Sequence, residues 1–170
     1  KAPDASGAIE AAAGGDEDAR KERYARALLA VGEALYFSAE QKRLALDRER
    51  MPTYEGQIDA ASMQRFADEK VSAWAGDESR LVEDVARSYG AIASLEPTAP
   101  PRWAVRASAR VGGLWGHLQA EFRAAPIPVA WTRRGHAGDG RPWADVRTAY
   151  YALMDSKSAP LHRRAKQAFQ

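Results

Sequence analysis

The chain of 170 residues contains no cysteine, which excludes disulfide bonds, thiolate metal ligands and a thiol nucleophile. It also lacks an apolar run of about 18 residues, the length that a membrane-spanning helix needs. No segment of useful length alternates apolar and polar residues as a half-buried β-strand does. These absences favour an all-α domain that depends on its core for stability.

Apolar side chains are abundant: they make up 45% of the residues and include five Trp and six Tyr, enough for one well-packed domain. Charge is distributed unevenly. Residues 1–101 carry 13 Lys/Arg and 19 Asp/Glu, a net charge of −6, whereas residues 102–170 carry 12 and 4, a net charge of +8. The simplest interpretation is that the two halves pack through complementary faces, and the alternative is a basic partner-binding surface. Nucleic acid is disfavoured because no nucleic-acid motif accompanies the dispersed basic residues.

Apolar residues spaced by three and four predict four long helices. The first runs from about Asp16 to Leu46, after an Ala- and Gly-rich stretch, residues 1–15, that is typical of a flexible linker. Asp59 caps the second helix, which is expected to bend at Gly76. The apolar face of the second helix consists of Met63, Phe66, Trp74, Leu81, Val85, Tyr89 and Ile92.

The third helix is predicted to begin at Pro100 and Pro101, with Thr98 as its cap. Its apolar face consists of Trp103, Ala107, Val111, Leu114, Leu118 and Phe122. Small side chains let a neighbouring helix approach closely, so we expect this helix to be the central one. The small residues are Ala104, Ala107, Ala109, Gly112, Gly113 and Gly116.

The connector Ala125–Pro128 ends the third helix with two prolines, which fix an extended backbone. In an extended segment Ile127, Val129 and Trp131 point to the same side. We therefore expect a buried connector that lies across the helices, and solvent-exposed Ile127 and Trp131 would refute this expectation.

The fourth helix is predicted to restart at Pro142, with Asp145 in its first turn. Pro160 is expected to interrupt it, and Ser158 to cap a renewed segment. The apolar residues of that segment are Leu161, Ala165 and Phe169.

Several of these elements, in this order, resemble a known family. They are the helix YARALLAVGEALYFSAEQKRLAL, the helix end RSYGAIASLEP, the segment ARVGGLWGHLQAEFRAAPIPVAW, and the C-terminal AYYALM and SAPLHRRAKQAF. The chain is similar to the helical module of large periplasmic tetratricopeptide-repeat (TPR) proteins of myxobacteria and related deltaproteobacteria. The resemblance covers roughly residues 24–170. The matching positions are Trp103, Arg106, Ala107, Arg110, Val111, Gly112, Trp115, Ala125, Pro126, Pro128, Tyr150, Leu153, Ala159, Pro160, Leu161, Arg164, Ala165 and Phe169.

The resemblance implies a TPR-like α-solenoid fragment or antiparallel helical bundle, residues 16–170, without enzymatic activity. It also implies a scaffold or adaptor role in a periplasmic or outer-membrane-associated assembly, with other proteins or neighbouring repeats as partners and only indirect membrane association. No second repeat is visible in the chain. The longer loop WTRRGHAGDGRPW replaces the short acidic loop of the family, so a contact made by this loop would be specific to this protein.

Catalytic and metal-binding patterns are weak. His117 and Glu121 are four residues apart on one helix, but a metal needs further ligands and no second pair of this kind appears. His136 and Asp139 lie in a glycine-rich loop that is not a calcium loop. No Gly-x-Ser-x-Gly motif occurs. We therefore expect no enzyme activity, cofactor or metal.

The strongest candidates for partner contacts are in the loop between the third and fourth helices. Trp131 and Trp143 flank Arg133, Arg134 and Arg141, and tryptophan and arginine are favoured in interface hot spots. The two tryptophans either anchor the loop or face a partner. A second hypothesis from a different class is a ligand carrier or enzyme with a pocket under the connector.

Overall fold

The computed structural model of the chain describes residues 17–46, 48 and 50–168, and it contains no β-strand within them. Its α-helices are α1 (Glu17–Leu46), α2 (Ala60–Phe66), α3 (Ser72–Ala93), α4 (Pro101–Arg123) and α5 (Trp143–Ala168). A π-helical turn, Ala67–Val71, joins α2 to α3 without a break, so the chain forms four long helical rods. The predicted all-α class with about four long helices is confirmed. Residues 1–15 and Asp16 lie outside the described residues.

The rods form two antiparallel hairpins that stand side by side. In the first hairpin, the Tyr24 hydroxyl donates to the carbonyl of Glu96, 3.3 Å away, and Lys42 at the other end of α1 pairs with Asp84 of α3. In the second, the Tyr150 hydroxyl donates to the Pro126 carbonyl at 3.3 Å. Gln119, in the last turns of α4, also contacts His162 in the C-terminal part of α5 at 3.0 Å.

Helices α1 and α4, the first helix of each hairpin, run parallel. Gly32 of α1 lies beside Trp103, and Glu40, two turns further on, pairs with Arg110. Helix α4 also packs against α3 and α5, so its predicted central position is confirmed. Of its small residues, Ala107 and Gly112 are buried as expected. Ala109, Gly113 and Gly116 are exposed instead, because α1 contacts only the first half of α4.

The second rod differs from its prediction in two respects. Its irregularity is the π turn, where the Ser72 hydroxyl donates to the Ala67 carbonyl at 2.9 Å, whereas Gly76 lies within regular α3. Leu81 is 44% exposed and Val82 is 3% exposed. Successive helical residues lie about 100° apart around the axis, so a core-facing Val82 leaves Leu81 at the margin.

Two predicted helix ends are wrong, and two are confirmed. Helix α4 has Pro100 rather than Thr98 at its N-cap, without a side-chain cap, because a proline in the first turn has no N–H to satisfy. Helix α5 continues through Pro160, where the burial of Leu161 holds the last turns against the core. The Ser158 hydroxyl accordingly donates a hydrogen bond to the Asp155 carbonyl instead of capping a new helix.

The two confirmed helix ends are the starts of α2 and α5. The Asp59 side chain caps α2 by accepting a hydrogen bond from the Ser62 N–H at 2.8 Å, and α5 begins directly after Pro142.

The connector is buried, as predicted. Ala125 and Trp131 are 1% and 2% exposed, and Ile127 packs against the core. The expectation for Val129 is wrong, since it is 74% exposed. A 3-10 turn, Val129–Thr132, begins at this residue and ends the extended backbone on which the predicted alternation depended.

Substitution of glycine by alanine is expected to have opposite effects at two positions, because one glycine lies in the close contact of α1 with α4 and the other faces open space. A β-carbon at Gly32 would lie 2.9 Å from Cδ1 of Trp103, whereas one at Gly90 of α3 would meet nothing within 4 Å. Gly32→Ala is therefore expected to destabilise the protein by about 1–2 kcal/mol, with overpacking exceeding the gain in helix propensity. Gly90→Ala is expected to stabilise it by about 0.5–1 kcal/mol. Urea unfolding of both variants tests this, and stabilisation by Gly32→Ala would contradict the tight contact.

Candidate protein-binding surfaces

Trp131 anchors the loop that precedes α5. Its ring lies 5.5 Å from the rings of Tyr54 and Tyr150 and is stacked on Trp143 at 6.5 Å. Arg147 donates a hydrogen bond to the Trp131 carbonyl. Since the side chain is 2% exposed, it fixes the loop from below and is not available to a partner in this conformation.

The loop above Trp131 is closed by local contacts. His136 and Pro142 form an isolated β-bridge, and Gly135 and Gly140 adopt positive φ angles of 115° and 83°, a backbone conformation that favours glycine. Arg141 pairs with Asp139 at 2.7 Å. The structure thus gives the loop a defined conformation.

The predicted site residues therefore separate into two groups. Arg141 also donates to the Ile58 carbonyl, so this side chain, like Trp131 and the half-buried Trp143, holds the loop in place. Arg133 and Arg134 are exposed, and their side chains have no hydrogen-bond or ion-pair partner among the described residues. Contact of the loop with a partner remains a prediction, and these two arginines are the side chains free to make it.

Sequence reasoning missed a second surface, which we call the α1–α4 groove. It is a cavity of about 470 Å³ between the C-terminal half of α1 and the middle of α4, with α3 beneath. Its apolar lining consists of Leu46, Val82, Leu114 and Leu118. The polar and small residues around it are Arg43, Arg50, Glu78, Ala109, Arg110, Gly113, His117 and Glu121. The sequence feature that coincides with the groove is the set of small residues on α4. In the sequence, these residues indicated a site of close helix packing and not a binding surface.

A polar cluster closes the narrow end of the groove. One carboxylate oxygen of Glu40 accepts a hydrogen bond from the Tyr89 hydroxyl at 2.6 Å and forms an ion pair with Arg110 at 2.8 Å. The other pairs with Arg43 at 3.0 Å. Arg110 also donates to the Tyr36 hydroxyl at 3.1 Å. The cluster therefore joins α1, α3 and α4 between the contact of Gly32 with Trp103 and the groove.

The cluster shifts the pKa values of its members. Burial raises the pKa of Glu40, but the hydrogen bonds from Tyr89 and Arg43 and the charge of Arg110 outweigh it, so the net pKa is lowered. Burial, and then the hydrogen bond to Glu40, raise the pKa of Tyr89 far above its ordinary value. Hydrogen bonding to the Tyr36 hydroxyl raises the pKa of Arg110. Glu40 is therefore held as a carboxylate between permanent cations.

Among the described residues that line the groove, the charged side chains most exposed to solvent are those of Arg50 and Arg110. The side chains of Arg110 and His117 are 49% and 66% exposed, and Arg50 is exposed. The two carboxylates that line the groove are mostly buried: the side chain of Glu121 is 21% exposed, and Glu78 is 5% exposed. A molecule that approaches the groove therefore meets basic groups first.

The two halves of opposite charge pack against each other, as the simplest interpretation of the sequence predicted. Arg110 with Glu40, Lys157 with Asp68, and Arg164 with Glu83 are ion pairs that cross between them. The hydrogen bond from Lys157 is the main cause of the lowered pKa of Asp68. Several basic residues of the second half, Arg123, Arg133, Arg134 and Arg163, remain exposed, without an ion pair among the described residues.

Potential metal ligands are sparse in the described part of the chain. His117 and Glu121 approach to 4.0 Å, but no group of three or more potential metal ligands occurs there. None of the described helices is long and apolar enough to cross a bilayer.

Comparison with known proteins finds no matching family model, no significantly similar curated protein and no significantly similar solved structure.

Proposed function

We propose that the chain is a non-enzymatic helical scaffold that binds other proteins in a cell-envelope assembly. The observation that carries this proposal is the arrangement of the two helical hairpins, whose first helices, α1 and α4, are parallel neighbours. Stacked hairpins with parallel first helices are the building plan of α-solenoids, which present extended surfaces to protein partners. The envelope location rests on the sequence resemblance alone.

The exposed parts of the structure are consistent with binding rather than catalysis. The loop presents Arg133 and Arg134 above a rigid aromatic base, and the α1–α4 groove is open to solvent. Rigid support below an exposed arginine lowers the entropic cost of forming an interface. The α1–α4 groove is lined by no residue of the connector Ala125–Pro128, so this groove is not the pocket that the ligand-carrier alternative requires.

A pull-down from a cell-envelope extract of the source bacterium, read by mass spectrometry, tests the proposal. The baits are the wild type, Arg133→Ala/Arg134→Ala, and the control Arg20→Ala/Arg23→Ala, which removes two exposed arginines of α1. We expect a specific protein to be retained by the wild type and by the control. Its loss from the loop variant would place the contact on the loop. A bait that retains no protein and copurifies with a small molecule or metal would overturn the proposal.

A further inference from the structure

We infer that the α1–α4 groove is the docking site for an acidic peptide segment of another protein, one that inserts a single large apolar side chain. This inference rests on the proposed function, because it names the class of partner and the surface that receives it. It is carried by the shape of the groove, its apolar floor and the sign of its exposed charge.

The shape follows from the divergence of two parallel helices. At their closest approach Gly32 contacts Trp103, but by the level of Gly113 the helices have separated, and a β-carbon at Gly113 would meet nothing within 4 Å. The resulting wedge has α3 as its base, where Val82 is 3% exposed. A leucine or phenylalanine side chain fits within about 470 Å³.

The charge selects an acidic partner. Arg50 and Arg110 are exposed at the rim, whereas Glu78 and Glu121, which also line the groove, are mostly buried. The ion pair with Glu40 holds the side chain of Arg110 in place, and Arg110 lines the groove. Opposite charges across an interface raise the association rate and fix the register of the bound segment.

The N-terminal residues of the same chain are unsuited to fill the groove. Ile9 is the only large apolar residue before Glu17, and eight residues span at most about 28 Å when fully extended. Arg43 lies 26 residues further along α1 from Glu17, a distance of about 39 Å at the helical rise. Residues 1–16 therefore cannot bring Ile9 into the groove, and the occupant that we infer is a segment of another protein.

Fluorescence anisotropy with three labelled peptides tests the inference. The probes are EDELEDE, EDEAEDE, which lacks the large apolar side chain, and the basic KKKLKKK. We expect wild-type protein to bind EDELEDE at least tenfold more tightly than either of the others, and to lose affinity as salt is raised. Equal binding of EDELEDE and EDEAEDE, or tighter binding of KKKLKKK, would overturn the inference.

Matched glycine variants locate the site. Gly113→Leu fills the groove, whereas Gly116→Leu places the same side chain on the same helix in open space outside the groove lining. We expect Gly113→Leu to weaken EDELEDE binding at least tenfold and Gly116→Leu to leave it unchanged. Circular dichroism confirms that both variants fold, and equal affinities for the two would overturn the assignment of the site.

A charge variant separates electrostatic from apolar recognition. Arg50→Gln is expected to weaken EDELEDE binding at least threefold. The control Arg123→Gln, which removes an exposed arginine that does not line the groove, is expected to have no effect. The pull-down then distinguishes the two proposals. A cellular partner retained equally by wild type and Gly113→Leu would refute the groove and leave the scaffold role intact, whereas the absence of any protein partner would refute both.

Discussion

Trp131→Ala is expected to destabilise the fold by about 3–5 kcal/mol, the usual cost of removing a fully buried aromatic ring. The ring is 2% exposed and lies among Tyr54, Tyr150 and Trp143. Its loss leaves a cavity where the segment before α2, the connector and α5 meet. Because Arg147 holds the backbone of Trp131 in place, the surrounding residues can collapse into that cavity only in part.

Urea unfolding followed by far-ultraviolet circular dichroism measures this loss. The control is Val129→Ala, two residues away on the exposed side of the same 3-10 turn, where Val129 is 74% exposed. We expect this control to change the free energy of unfolding by less than about 0.5 kcal/mol. If Trp131→Ala costs less than 1 kcal/mol, the tryptophan does not anchor the loop, and its role in partner binding has to be reconsidered.

Glu40→Gln is expected to lower the free energy of unfolding at pH 7 by about 2–3 kcal/mol, because it removes the charge between two arginines and disrupts the cluster that joins α1, α3 and α4. The side chain of Glu40 is 17% exposed, so solvent screens these interactions only in part. Glutamine retains the shape of the side chain but presents one acceptor oxygen in place of two.

The same substitution predicts a pH dependence. The folded-state pKa of Glu40 lies below its ordinary value of 4.5, so its contribution to stability is fully present above that value. The contribution is lost as the pH falls through the folded-state pKa. The difference in unfolding free energy between wild type and Glu40→Gln should therefore shrink from pH 7 to pH 3.

Equilibrium unfolding in urea at pH 7, 5, 4 and 3 measures the difference. Glu33→Gln is the matched control, since Glu33 is exposed on the same helix and has no ion pair within the described residues. Its effect should be small at every pH. A stability difference for Glu40→Gln that stays constant between pH 7 and pH 3 would show that Glu40 acts through packing and not through its charge.

Local features of the chain predicted the helices well and their ends less well. Asp59 and Pro142 marked true helix starts, because the N-cap of α2 and the first turn of α5 are decided within a few residues. Pro160 did not end α5, since the burial of Leu161 stabilises a turn that local propensity disfavours. Burial of the connector followed from its prolines and apolar residues, but the exposure of Val129 depended on a turn that its composition did not reveal.

The sequence by itself determined the all-α class, the four long helical rods, the central α4 and the division into an acidic and a basic half. These features depend on the spacing of apolar residues and on the distribution of charge between the two halves, both of which can be read along the chain. Only the tertiary structure decided that Trp131 packs against Tyr54 and Tyr150, that Glu40, Tyr89 and Arg110 meet, and that α1 and α4 separate beyond their contact at Gly32. The reason is that each depends on residues dozens of positions apart, and their distance is set by how the helices cross.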